Sequence, residues 1–177
     1  RITTLDIGGG VRAEIDGHEL MSLYGKRLQA ERAELFDYDV RTEFGQWVQA
    51  NAGWAATRIE SVEERSVPMA FVHLGADYFM RDVYGAKAAA GYGFAVVTVD
   101  GRITVASDEN RATQCYDLVG PLCFAGDVLV RDLVLPELAE GDWLVIAGTG
   151  ANTLGLWSRH CSRAVPKVIA SSAGMSS

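Results

Sequence analysis

Leu5-Asp6-Ile7-Gly8-Gly9-Gly10 reads as a short buried strand that runs straight into three glycines. With no Cβ in the way, such a loop turns backbone N–H groups outward and lets an anion approach closely. Downstream of it, Leu20, Leu23, Tyr24, Leu28 and Leu35 recur mostly at three- and four-residue steps. That spacing predicts a helix over 17–35, with Asp16 as a cap and Glu19 three residues on, as in a capping box. A second buried strand is expected over 37–43, stopped by Gly45, and then a short helix at about 47–56. Strand, glycine loop and helix, twice in succession, is the grammar of a parallel sheet or barrel.

Near residue 58 the character changes. Apolar, β-branched runs separated by turn residues predict strands at 70–74, 94–99, 102–105, 113–119, 128–130 and 143–146. Asp100-Gly101, between two of these runs, is a hairpin signal. The second part of the chain therefore reads as all-β, sandwich- or barrel-like. The end, 171–177, reads as a frayed tail. No internal repeat is visible.

Composition sets the outer limits. The 177 residues are 49% hydrophobic and 22% charged, which suits a packed core. The formal charge of −7 disfavours general binding to a phosphate backbone, so no nucleic-acid partner is expected. No run of about 18 apolar residues offers a transmembrane helix. Cys115, Cys123 and Cys161 are odd in number and widely spaced, and His18, His73 and His160 form no ligand pattern. Neither a disulfide framework nor a metal site is expected, and reduced thiols suggest a cytoplasmic protein. Because the chain opens in a strand at Arg1, it is expected to be a piece of something longer.

Each candidate motif has a functional and a plain reading. Gly8, Gly9 and Gly10 make either a phosphate-binding loop or an ordinary tight turn. Glu43, at the C-terminal end of a predicted strand, stands where βα folds place their chemistry. It is either a partner for a protonated ring nitrogen or a rim carboxylate. Arg81 and Tyr84 place a guanidinium fork and a phenol in a loop after a strand. They suit an anionic group, although Arg81 could equally pair with Asp82 or Asp77. Cys123 lies in Val119-Gly120-Pro121-Leu122-Cys123-Phe124-Ala125-Gly126-Asp127. It is either a loop thiol able to act as acid or nucleophile, or a small buried filler.

Taken in order, these motifs resemble one family: the pyridoxal-phosphate-dependent amino-acid decarboxylases of the diaminopimelate, ornithine and arginine type, which have an alanine-racemase-like barrel. The likeness runs from about residue 3 to 168. Leu5 to Gly10 is similar to the family's glycine-triplet phosphate loop. Glu43-Phe44-Gly45-Gln46 looks like its Glu-Pro-Gly-Arg segment, whose Glu faces the pyridine nitrogen. Arg81 to Gly85 resembles its substrate loop. Residues 119–127 resemble the loop that offers a catalytic cysteine across a dimer interface. Gly150-Ala151-Asn152 looks like a Gly-Ala-Tyr motif.

The resemblance implies an α/β barrel fragment, residues 1–57, followed by a C-terminal all-β domain, residues 58–170. It implies pyridoxal 5'-phosphate held by Gly8, Gly9, Gly10, Glu43, Gly45, Gln46 and Asn152. It implies Cys123 as the catalytic residue and Arg81, Tyr84, Phe124 and Asp127 as substrate contacts. It also implies a homodimer sharing its sites, and a missing N-terminal barrel segment carrying the Schiff-base lysine. Lys26, Lys87 and Lys167 are not replacements for that lysine.

Four departures stand out. Gln46 replaces a frequent Arg, Asn152 replaces a Tyr, Phe124 follows the cysteine where an acidic residue often stands, and the Arg81-to-Tyr84 spacing is one residue short. A distal ammonium placed against Phe124 loses a charge-assisted hydrogen bond, about 1.5–3 kcal/mol. Diaminopimelate is therefore not expected to be the preferred substrate. Two alternatives accompany decarboxylation: a non-catalytic regulatory homologue, motivated by Gln46 and Asn152, and a racemase sharing the cofactor.

Overall fold

The computed structural model describes residues 2–11, 17–84, 92–108 and 112–171. Strand β1 (Thr4–Asp6) is followed by helix α1 (Gly17–Glu31), a 3-10 turn (Ala33–Asp37) and strand β2 (Asp39–Arg41). β1 and β2 pair in parallel, Leu5 opposite Val40, as a two-stranded sheet of their own. Among the described residues up to 53, this two-stranded sheet is the only one, so a barrel fragment is not shown. α1 ends four residues earlier than its apolar spacing suggested, because Leu35 belongs to the 3-10 turn. β2 keeps only three of seven expected residues, and none of them is fully buried. Asp16 and residues 172–177 lie outside the described residues.

Helix α2 (Gly45–Gln49) and a 3-10 turn (Ala50–Ala52) lead into β3 (Trp54–Glu63), the longest strand. Here the sequence misled: residues 54–56 were expected to be helical, and no strand was expected over 57–63. β3 alternates strictly at first, with Ala55, Thr57 and Ile59 inside and Trp54, Ala56 and Arg58 outside. Small inward residues give that alternation little hydrophobic contrast, so its period-2 signal is faint. The division expected at residue 57/58 falls inside this strand.

β4 (Met69–Val72), helix α3 (Met80–Tyr84), β5 (Gly93–Val97), β6 (Ile103–Thr104), β7 (Thr113–Val119), β8 (Val128–Pro136) and β9 (Trp143–Ala147) complete the regular elements, with short 3-10 turns at Leu154–Leu156 and His160–Ser162. The seven-stranded sheet runs β6-β5-β9-β3-β4-β7-β8. Its pairs are antiparallel except β4 with β7. Val96 of β5 and Leu129 and Leu135 of β8 share one core cluster with Ile59, Leu118, Leu144 and Ile146. Strands from near opposite ends of the order thus enclose a common interior, so the sheet curls around it.

The expected hairpin is present: Thr98 N–H donates to the Arg102 carbonyl at 2.9 Å, and Gly101 takes the left-handed conformation at φ 85°. The second part is not purely β, since α3 occupies the stretch expected to be a loop. Among the described residues no helix is long and apolar enough to cross a membrane.

Candidate functional site

Two groups of candidate residues assemble at different places. The first lies where β1 and β2 end side by side. Gly8 and Gly10 have φ of 72° and 116°, with open space where a Cβ would stand. Gly9 has no such room, because a Cβ there would strike the Glu43 carbonyl oxygen. Glu43 N–H donates to the Gly8 carbonyl at 2.8 Å. The glycine triplet and the carboxylate therefore meet by backbone contact.

The Gly9 and Gly10 N–H groups have no partner among the described residues, whereas Gly8 N–H donates to Asp6 Oδ1 at 2.8 Å. Two N–H groups without a partner among the described residues, on a loop whose conformation and close contact favour glycine, fit an anionic oxygen cluster such as a phosphate. Glu43 is exposed rather than buried, because it lies in the turn beyond the short β2. Gly45 N–H donates to the Glu43 carbonyl at 2.8 Å and opens α2, which also carries Gln46. The Tyr24 and Phe44 rings meet edge to face with centroids 5.4 Å apart, which ties α1 to the Glu43 turn. Asn152 sits partly buried in the turn after β9, with φ 60°.

The second group lies at one end of the seven-stranded sheet. Residues 74–79 after β4 are all buried and present α3, whose Tyr84 ring stacks on Phe124 with centroids 5.5 Å apart. Cys123 beside it is exposed and free, so it is not a buried filler. Arg81 is exposed and makes no ion pair among the described residues. Both of its suggested partners are occupied: Asp82 accepts the Tyr92 hydroxyl at 2.8 Å, and Asp77 accepts Arg163 Nε at 2.9 Å. Burial, with Asp82 assisting, pushes the Tyr92 phenol above its ordinary pKa, so it stays a donor holding α3.

Asp127, expected as a substrate contact, is instead buried. It is 2% exposed, and its two oxygens accept the N–H groups of Ala76 at 2.6 Å and Leu122 at 2.7 Å. Burial raises its carboxyl above the usual range, against the pull of those two N–H groups. Gly75 and Gly120 close around it, and a Cβ on Gly75 would stand 2.7 Å from Asp127 Oδ2. Asp127 is thus the staple that fixes the Cys123 loop to the segment bearing Arg81 and Tyr84.

Sequence reasoning also passed over His160, whose Nδ1 lies 3.3 Å from the Tyr84 hydroxyl, and the Asp77–Arg163 pair. These contacts join residues 76 and 86 positions apart, which no local pattern reveals. Among the described residues no hydrogen bond or ring contact links the Gly8–Glu43 group to the Cys123 group.

Residues 16–150 match the family model described as the pyridoxal-dependent decarboxylase C-terminal sheet domain. The chain is 28% identical over 167 residues to the diaminopimelate decarboxylase of Deinococcus radiodurans, covering 93% of this chain and 39% of that protein. It is 31% identical over 165 residues to the diaminopimelate decarboxylase of Pseudomonas aeruginosa, covering 92% of this chain and 36% of that protein. A crystal structure of a diaminopimelate decarboxylase superposes with a TM-score of 0.69 at 25% identity, covering 94% of this chain and 42% of that one. The chain thus spans about two-fifths of the length of these proteins. Relatives of this kind lend no support to the expectation that diaminopimelate is disfavoured.

Proposed function

The chain belongs to the pyridoxal-dependent decarboxylases, and from that premise we propose that the whole protein decarboxylates an amino acid, with this chain contributing part of the cofactor site and the loop that protonates the product. The observation that supports this reading is the backbone contact of Gly9 with Glu43, which joins the glycine loop to the Glu43 turn at the ends of adjacent parallel strands. Strand ends of that kind are where ligands sit in parallel βα folds.

Gly9 and Gly10 would hold the phosphate through their N–H groups, and Glu43 would keep the ring nitrogen protonated. Bound there, pyridoxal phosphate supplies an electron sink for bond cleavage at the substrate α-carbon. Cys123, exposed on its loop, would hand a proton to the product carbon, reaching the site of a second subunit in a homodimer. Arg81, free of ion pairs among the described residues, would take the substrate carboxylate, and Tyr84 would orient the substrate beside it. Residues 1 to about 53 would complete a barrel begun by a preceding segment, which would carry the Schiff-base lysine. The proposal against diaminopimelate rests on Phe124 alone, since the relatives do not favour it.

A second reading, a non-catalytic homologue, is favoured by Asp6: its carboxylate engages the Gly8 N–H inside the proposed phosphate loop. One experiment separates the two. The full-length protein is purified, its bound cofactor is read by absorbance, and carbon dioxide release is followed on lysine, ornithine, arginine and diaminopimelate. Bound cofactor with release from one of these supports the enzyme, and absence of both supports the homologue. Efficient turnover of diaminopimelate would remove the Phe124 argument.

A further inference from the structure

Ser158 and Arg163 are both fastened to Asp77, and the two fastenings bracket His160. Ser158 N–H donates to the Asp77 carbonyl at 2.9 Å, and Arg163 Nε donates to its carboxylate at 2.9 Å. Arg163 Nη2 adds a bond to the His73 carbonyl at 2.6 Å. Between the anchors the chain turns through two successive non-glycine residues in the left-handed region, Cys161 at φ 55° and Ser162 at φ 57°. L residues seldom adopt that conformation, and it persists where the surroundings over-determine it.

The turn delivers the His160 ring to Tyr84 and Phe124. Nδ1 lies 3.3 Å from the Tyr84 hydroxyl, and the ring centroid lies 6.2 Å from that of Phe124. Phe124 is itself fixed, stacked on Tyr84 and folded over Gly126, where a Cβ would meet its ring. Tyr84, Phe124 and His160 thus form one wall beside Cys123.

We propose that His160 is a positioning residue that sets the direction of the Tyr84 hydroxyl, and so determines whether this wall offers the distal end of the substrate a donor or an acceptor. The substrate clause rests on the decarboxylase reading; the coupling of the two side chains does not. When Nδ1 is bare it accepts the Tyr84 O–H, and the phenol oxygen presents only lone pairs outward. When the imidazole carries both protons, Nδ1–H donates to the phenol oxygen and the Tyr84 O–H is released to donate outward. The first state suits a distal ammonium, and the second a distal carboxylate or carbonyl. Among the described residues, the charged and titratable groups on the elements that meet His160 are Tyr84, which contacts it, and Arg81 on α3; Cys123 next to Phe124 in sequence; and Arg159, Cys161 and Arg163 on its own segment, with Arg163 held by Asp77.

The test uses the full-length protein with its cofactor, as wild type, His160→Phe and Tyr84→Phe. KM is measured for lysine and for glutamate at about pH 5.5 and at about pH 8.5. The 15N resonances of His160 are read on the same proteins. In the wild type the ratio of the two KM values should change by about fivefold to tenfold across this span, the scale of one hydrogen bond. Both variants should flatten the change, and Tyr84→Phe, which removes one oxygen, should move the His160 Nδ1 resonance. A pH profile retained in His160→Phe, or a Nδ1 resonance unmoved by Tyr84→Phe, overturns the proposal. If His160→Phe fails to fold, Tyr84→Phe alone decides. A protein that turns over no amino acid, yet shows the moved resonance, sinks the decarboxylase reading and supports the coupling.

Discussion

Gly53 and Gly150 cross backbone against backbone: a Cβ on Gly53 would stand 2.6 Å from the Gly150 Cα. Thr149 N–H donates to the Gly53 carbonyl at 3.0 Å, and Gly150 N–H donates to the Ala50 carbonyl at 2.9 Å. This crossing welds the turn after α2, and with it the Gln46 segment, to the loop carrying Asn152. A side chain on Gly150 would strike the Gln49 carbonyl oxygen, which is main chain and cannot swing aside.

Gly150→Ala should therefore destabilise the protein by about 1–3 kcal/mol, the usual cost of overpacking. Denaturant unfolding of the full-length protein measures this. Gly155→Ala is the control, since a Cβ there meets nothing within 4 Å. Equal midpoints for the two variants would contradict the crossing.

Arg163→Met should cost about 3 kcal/mol, the lower end for breaking a buried ion pair, because Arg163 keeps some exposure. The variant leaves the Asp77 carboxylate buried, and one of its oxygens already lacks a partner. Adding Asp77→Asn should recover part of the loss. A thermal melt unchanged by Arg163→Met would show that the bracket around His160 is not held by this pair.

Asp127 gives a pH signature. Its carboxyl is raised by burial, so the folded state binds the proton more tightly than the unfolded chain. Its contribution is then fully present below the ordinary Asp pKa of about 3.9 and is lost as pH rises through the raised value. Asp127→Asn removes that titration. It should also cost about 1–3 kcal/mol, because an amide cannot accept both the Ala76 and Leu122 N–H groups. Unfolding free energies measured across this window should fall for the wild type relative to the variant, and parallel curves would refute the assignment.

Cys123→Ala should leave the melting temperature unchanged, since the thiol is exposed and unpaired. If Cys123 is the proton donor, turnover of the full-length enzyme should fall by about 10²–10⁴-fold, the range for general acid catalysis. Unchanged kinetics would remove Cys123 from that role.

Gly9→Ala should push the Glu43 turn away from the glycine loop, because its Cβ meets main chain. Cofactor retention, read by absorbance after gel filtration, should drop, while Gly25→Ala on the open face of α1 should not alter it. Equal retention in the two variants would detach the loop from phosphate binding.

Much of the sheet was legible because it is written locally. β7 was expected over 113–119 and lies there, and the β5–β6 hairpin follows from Asp100-Gly101. β3 was not legible, since Ala55 and Thr57 occupy inward positions that a larger apolar residue would have advertised. α3 was missed because five residues give too short a period to read. Of the candidate site, the glycine triplet, Glu43 and Cys123 were singled out by motif. Their exposure, and the occupation of Asp127 by backbone N–H groups, were not.

By itself the sequence determined the inventory: a glycine loop, a strand-end carboxylate, a loop cysteine and strand-rich apolar runs, all of them set by the steric and hydrophobic character of adjacent residues. Only the tertiary structure decided the partners. Asp77 went to Arg163 rather than Arg81, Asp127 to the backbone rather than the surface, and His160 to Tyr84, which stands 76 positions away. Those choices depend on which groups the curled sheet brings within reach of one another, and no stretch of sequence contains that information.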